Sequence, residues 1–291
     1  MSSKFTIPQL LVLLPFLGLA IAAPAQKSST KATPASATIS STESTGTSTA
    51  TSTSAALGTG LSSGNLKPTC APGGNIDLSK WTLQLPSGTQ GHPNSVAGSK
   101  LAGCSGYTSK DYFYTNTDGS IVMKVPGGVS TGCVTTAHSK HCRTELREAS
   151  PSSWSPSSAS NKLSATLQVI TADDSAHGTV IGQIHIDDSI SSKPVCELFY
   201  NSKGVISMGV EQTRDGGNEI VTQVGSVAVG SKFSYEIAYE GGKLSVAING
   251  GAAKTLDTYQ LDSPKSYFKA GNYNQGNSKS EVHFFAIDIQ H

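Results

Sequence analysis

Three widely separated segments place a polar side chain at every second position: Arg143-Thr144-Glu145-Leu146-Arg147-Glu148, Gln183-Ile184-His185-Ile186-Asp187 and Tyr267-Phe268-Lys269-Ala270-Gly271-Asn272-Tyr273-Asn274-Gln275. Successive side chains of a strand point to opposite faces. Arg143, Glu145 and Arg147 therefore project together, as do Gln183 with His185, and Tyr267, Lys269, Tyr273 and Gln275. Asp187 continues the second set and is expected at its edge. The opposite face carries Leu146, Ile184, Ile186, Phe268 and Ala270 and reads as core. A face that pools Arg, Lys, His, Gln and Tyr is what an anionic ligand requires.

The elements that must position these residues are short strands. Runs rich in β-branched and aromatic residues recur at 81–85, 112–115, 121–125, 163–170, 180–186, 195–200, 205–210, 220–224, 233–239, 244–248 and 282–289, many bounded by Gly, Pro, Asn or Asp. Lys232 to Glu240 and Lys243 to Asn249, joined by Gly241-Gly242, read as a two-residue hairpin. No stretch sustains a 3.6-residue apolar period, and one short helical turn is expected near Ile76 to Lys80. The fold class is all-β: a β-sandwich or jelly roll of two antiparallel sheets, one presenting a concave groove long enough for a polymer.

The N-terminus carries Lys4, an apolar stretch from Leu10 to Ala22 interrupted by Pro15, and small residues at Ala20, Ala22, Ala23 and Ala25. This predicts a secretory signal peptide over 1–22, with cleavage as late as 25, and a secreted, extracellular product without a membrane span. From Lys27 to Leu66, 21 of 40 residues are Ser or Thr and none is aromatic, which predicts a disordered, O-glycosylated stalk over 23–66. No Asn-x-Ser/Thr sequon occurs. A single domain then spans 67–291, with 18 basic and 19 acidic residues and no basic run that would suit nucleic acid. Any anion recognition must come from local clustering. Five cysteines (Cys70, Cys104, Cys133, Cys142 and Cys196) predict disulfides with one thiol left over. A Cys133–Cys142 bridge fits the compartment, and the string Cys133-x4-His138-x2-His141-Cys142 matches no common zinc spacing. The remaining pairing is not legible.

Taken together and in order, the three segments resemble the blocks of polysaccharide lyase family 7, the alginate lyases: an Arg-Ser/Thr-Glu-Leu-Arg strand, a Gln-Ile/Val-His strand and a Tyr-Phe-Lys-Ala-Gly-x-Tyr-x-Gln strand. The stretch Ile76 to Pro86 is similar to the family's domain start. The resemblance implies a β-jelly roll that cleaves 1,4-linked uronates by β-elimination, with no metal or other cofactor. It assigns Arg143, Gln183, His185 and Tyr273 to the catalytic set. Arg147 and Lys269 become uronate-binding cations, and Glu145, Tyr267 and Gln275 orienting or subsite residues. Elimination removes the C5 proton, which lies α to a carboxylate, and an ionised carboxylate resists the second negative charge. Donors such as Arg143, Gln183 and His185 must neutralise it first. Tyr273 supplies a phenol for the departing oxygen, and neighbouring cations are expected to lower its pKa.

Plainer roles compete. Glu145 belongs equally to a salt-bridge ladder holding the arginines apart, and Tyr267 and Gln275 to cross-strand packing. His92, His138, His141, His177, His283 and His291 lack comparable company and receive no role. A glycoside hydrolase would need two carboxylates flanking the bond, and no strand offers such a pair, since Glu145 and Glu148 face opposite ways. A carbohydrate-binding module or lectin would present aromatic platforms in place of the Tyr, His and Arg set. A lyase for another polyuronate such as glucuronan stays open. By resemblance Ile184 leans toward guluronate linkages, while endo or exo action is not legible. The expected partner is acidic polysaccharide, acted on by a monomer.

Overall fold

Alternation of buried and half-exposed residues, the mark of strands with one covered face, runs through the computed structural model, which describes residues 65–291. The predicted signal peptide and all but the last two residues of the stalk lie outside the described residues. The strands in chain order are β1 (Trp81–Thr89), β2 (His92–Ala97), β3 (Phe113–Thr115), β4 (Ile121–Val125), β5 (Arg143–Glu148), β6 (Lys162–Thr171), β7 (Thr179–Ile186) and β8 (Pro194–Tyr200). They continue with β9 (Val205–Val210), β10 (Ile220–Ser226), β11 (Lys232–Glu240), β12 (Lys243–Ile248), β13 (Lys254–Leu256), β14 (Ser266–Tyr273) and β15 (Ser280–Gln290).

They form two antiparallel sheets, as a jelly roll requires. The eight-stranded sheet has the order β10-β9-β8-β7-β14-β5-β1-β2, and the seven-stranded sheet β13-β12-β11-β6-β15-β4-β3. One apolar cluster lies between them: Leu146, Ile184, Ile186, Phe268 and Ala270 from the first sheet join Leu163, Leu167, Ile237 and Phe284 from the second. The predicted apolar face is therefore core.

The Gly241-Gly242 hairpin forms as expected, with φ of 54° and 75°, the left-handed pair that a two-residue turn matched to strand twist demands. Two strands escape the alternation pattern. The β2 strand (HPNSVA) and β13 (KTL) are short, mostly exposed sheet edges that need no apolar side chains. The helical turn expected near Ile76 to Lys80 is not there. Those residues make isolated turns that do not extend into a helix, with Ile76 N–H bonded to Pro72 O and Trp81 N–H to Leu78 O, and the short α-helix is Gly98–Leu101 instead. Disulfides join Cys133 to Cys142 and Cys70 to Cys104, leaving Cys196 buried and reduced.

Candidate active site

The three segments become neighbours because β14 lies between β5 and β7. Lys269 pairs with Arg147, Gly271 with Glu145 and Tyr273 with Arg143; on the other side Tyr267 pairs with His185 and Lys269 with Gln183. Gly271 permits this spacing. A Cβ there would stand 2.6 Å from Glu145 Cα and 2.7 Å from Thr144 O, so any side chain would push β14 off β5. All nine residues singled out in the sequence line one groove of about 790 Å³.

Glu145 is the hub of that floor. Only 2% exposed, it accepts from Arg143 Nη1 at 2.9 Å and Lys269 Nζ at 3.1 Å on one oxygen, and from Gln183 Nε2 on the other. Burial would raise its pKa, but Lys269 and Arg143 overcome that and hold it below the usual carboxylate value. The ladder role fits this geometry, since both oxygens are committed to protein partners. Arg143 also lies over the Tyr273 ring, its Cζ 3.5 Å from the centroid.

His185 stacks on Tyr267 with centroids 5.1 Å apart, and its Nδ1 donates to the Ile186 carbonyl at 2.8 Å. Burial, with Lys269 and Arg143 adding repulsion, lowers its pKa to about 3, so the ring is neutral. With its proton on Nδ1, Nε2 keeps a bare lone pair. The expectation that His185 donates to a carboxylate is thus corrected: the neutral ring accepts. Lys269 is lowered to about 8, by burial first and then by Arg143. The expected fall in the Tyr273 pKa is also overturned. The phenol is only 9% exposed, and burial raises its pKa by more than Arg143 lowers it. At neutral pH Tyr273 therefore holds its proton.

A family profile for alginate lyase matches residues 76–291. The chain belongs to the alginate lyase family. An alginate lyase from Klebsiella pneumoniae is 26% identical, over 70% of this chain and 84% of that relative. A crystal structure of family 7 alginate lyase A1-II′, with one histidine replaced by asparagine and one tyrosine by phenylalanine, is a complex with substrate (GGMG). It matches with a TM-score of 0.66 at 29% identity, covering 77% of this chain and 97% of that one. The alginate lyase structure from Pseudomonas aeruginosa gives 0.62 at 31% identity, over 74% and 99%. Family membership over residues 76–291 sets aside the hydrolase and lectin readings.

Within this alginate lyase fold, several groove residues were not legible beforehand. Asp188 accepts from Arg147 Nη2 at 2.9 Å and Tyr267 Oη at 2.8 Å, while Arg147 covers the Tyr267 ring at 4.0 Å. The adjacent Asp187, expected at the groove edge, instead folds into a turn and accepts from Ser189 N–H and Oγ–H. Alternation misled here because β7 ends at Ile186. Gln275 likewise lies beyond β14, reaching the groove because Asp173 accepts its backbone N–H at 2.6 Å. Its Nε2, like that of Gln84 on β1, is a buried donor without a partner. Glu197, Glu211 and Glu219 line the same groove beside Lys193, and burial raises the pKa of each. They come from β8, the residue after β9 and the residue before β10, which is why a single-strand search for paired carboxylates missed them. His138 also lines the groove, and His141 packs edge-on to Tyr273 at 6.3 Å.

Proposed function

We propose that the chain cleaves alginate by β-elimination in this groove, with His185 as base and Tyr273 as proton donor. Membership of the alginate lyase family supports the substrate and reaction class. The related lyase studied with bound substrate lacks one histidine and one tyrosine, the two residue types assigned here to proton transfer.

The observation that carries the assignment is the complementary protonation of the two groups. His185 is neutral with Nε2 free, and Tyr273 is protonated. His185 Nε2 takes the C5 proton, the C5–H electron pair becomes the C4=C5 bond, the C4–O bond breaks, and the leaving oxygen takes the Tyr273 proton. Solvent then removes the proton from His185 and restores one to Tyr273. Arg143, Gln183 and Lys269 face the same groove and neutralise the C6 carboxylate as charge builds on it. Arg147 anchors a further uronate, with Tyr267 holding its guanidinium in place. Glu145 keeps the cations and Gln183 aligned, and the unpaired amides of Gln275 and Gln84 await sugar oxygens. No step calls on a metal or organic cofactor. The two disulfides support secretion.

The test is incubation with polymannuronate, polyguluronate, mixed-block alginate, glucuronan and a neutral glucan while following the ultraviolet absorbance of the new double bond. Absorbance should grow with at least one alginate and stay flat with the neutral glucan, which has no acidified C5 proton. Binding to alginate without absorbance from any block would refute the reading, and faster growth on glucuronan would reassign the substrate.

A further inference from the structure

Ser139 lies in the loop closed by the Cys133–Cys142 disulfide, which is tied to the end of β14 by Asn274 N–H donating to Cys142 O at 3.0 Å. Its Oγ has four polar neighbours. Arg143 Nη2 donates to it at 3.3 Å and the His141 backbone N–H at 3.1 Å, while the His141 carbonyl at 3.0 Å and Tyr273 Oη at 3.1 Å lie within reach of its own hydrogen. A hydroxyl has one hydrogen and two lone pairs. Both lone pairs are taken by Arg143 and His141 N–H, so Tyr273 has no acceptor site left on Ser139. Two consequences follow. The phenolic hydrogen of Tyr273 is free to turn toward the groove, and the Ser139 hydrogen has two alternative acceptors, the His141 carbonyl and Tyr273 Oη.

We infer that Ser139 is a positioning residue for proton donation, its hydroxyl hydrogen resting on the His141 carbonyl and swinging to Tyr273 Oη as the phenol gives up its proton. The inference rests on the reading of Tyr273 as the acid. While the phenol is protonated, the His141 carbonyl competes well for the hydrogen. As phenolate character grows, the tyrosine oxygen becomes the stronger acceptor and the bond becomes charge-assisted. Arg143 contributes twice, by its charge over the ring and by fixing Ser139 from the other side. Because the extra bond forms only as charge develops, it lowers the barrier without tightening ground-state binding. No substrate contact by Ser139 is needed.

The experiment is steady-state kinetics on alginate for Ser139→Ala, Ser139→Thr, Tyr273→Phe and Ser139→Ala/Tyr273→Phe, with thermal midpoints for each. Ser139→Ala should lower kcat roughly ten- to hundredfold, the worth of one charge-assisted bond, with KM within about twofold, as expected for an interaction made only in the transition state. Ser139→Thr keeps the hydroxyl and should restore most of the turnover. In the Tyr273→Phe background the serine change should cost nothing further. A Ser139→Ala enzyme with normal kcat, a loss confined to KM, or a loss that threonine leaves unrepaired at an unchanged midpoint would each overturn the inference while leaving Tyr273 as the acid. Normal turnover in Tyr273→Phe would remove both.

Discussion

The two faces of β5 each bury a glutamate, three residues apart, and use it differently. On the groove face Glu145 is surrounded by Arg143, Lys269 and Gln183, groups with charge or hydrogens to spare after Glu145 is satisfied. On the core face Glu148 is fully buried, with Oε2 accepting from Trp154 Nε1 and Phe268 N–H, both at 2.9 Å, and Oε1 bonded to His291 Nε2 at 2.6 Å. Those partners are consumed by the contact. Glu148 locks the C-terminal residue and the β5–β14 seam, whereas Glu145 holds a surplus of positive charge and N–H groups at the groove floor. The same side chain in the same strand thus meets partners with capacity to spare on one face and fully committed partners on the other.

Removing the base should separate the faces most sharply. His185→Ala should lower turnover about a thousandfold, the usual worth of positioned acid-base catalysis, while the thermal midpoint moves little. Near-normal kcat would mean that the groove face does not supply the base. Next in size is Glu148→Ala, which strands three donors and should cost about 3 kcal/mol of stability. It should be seen as a lower denaturant midpoint, with kcat per folded molecule within about threefold of normal. A large loss of kcat in fully folded protein would show that the core face also does chemistry.

A smaller effect comes from pH. Lys269 has its pKa lowered to about 8, so its charge is present below that value and lost as pH rises through it. The kcat/KM for alginate should fall several-fold across that range, to a floor set by Arg143 and Arg147. Lys269→Arg should remove this limb, and its persistence in that variant would assign it to another group. Stability has the opposite sign at Lys269: the folded state carries a buried charge below about 8, and that cost is relieved as pH climbs toward the unfolded value.

Much of this site was legible because strands translate spacing into direction. Arg143, Glu145, Arg147, Gln183, His185, Tyr267, Lys269 and Tyr273 follow period two without interruption, and antiparallel pairing aligned them. The pattern failed where strands stop. Asp188, two residues past β7, replaces Asp187, and Ser139 lies in a disulfide-closed loop with no periodicity to read. The acidic trio of Glu197, Glu211 and Glu219 is assembled from three elements that only the sheet order brings together. Protonation was less legible than position. Cations near Tyr273 were foreseeable, but burial depth was not, and burial outweighs them.

The central claim, that the groove face delivers a proton from Tyr273 to the departing oxygen, is tested most directly by Tyr273→Phe, which keeps the ring beneath Arg143 and removes only the phenolic oxygen. Rates of double-bond formation on alginate should fall roughly a hundred- to ten-thousandfold in a protein with an unchanged circular dichroism spectrum. KM should hold within a few-fold, because Arg143, Arg147 and Lys269 still meet the carboxylates. A correctly folded Tyr273→Phe enzyme with near-normal kcat would contradict the account and shift proton donation elsewhere in the groove.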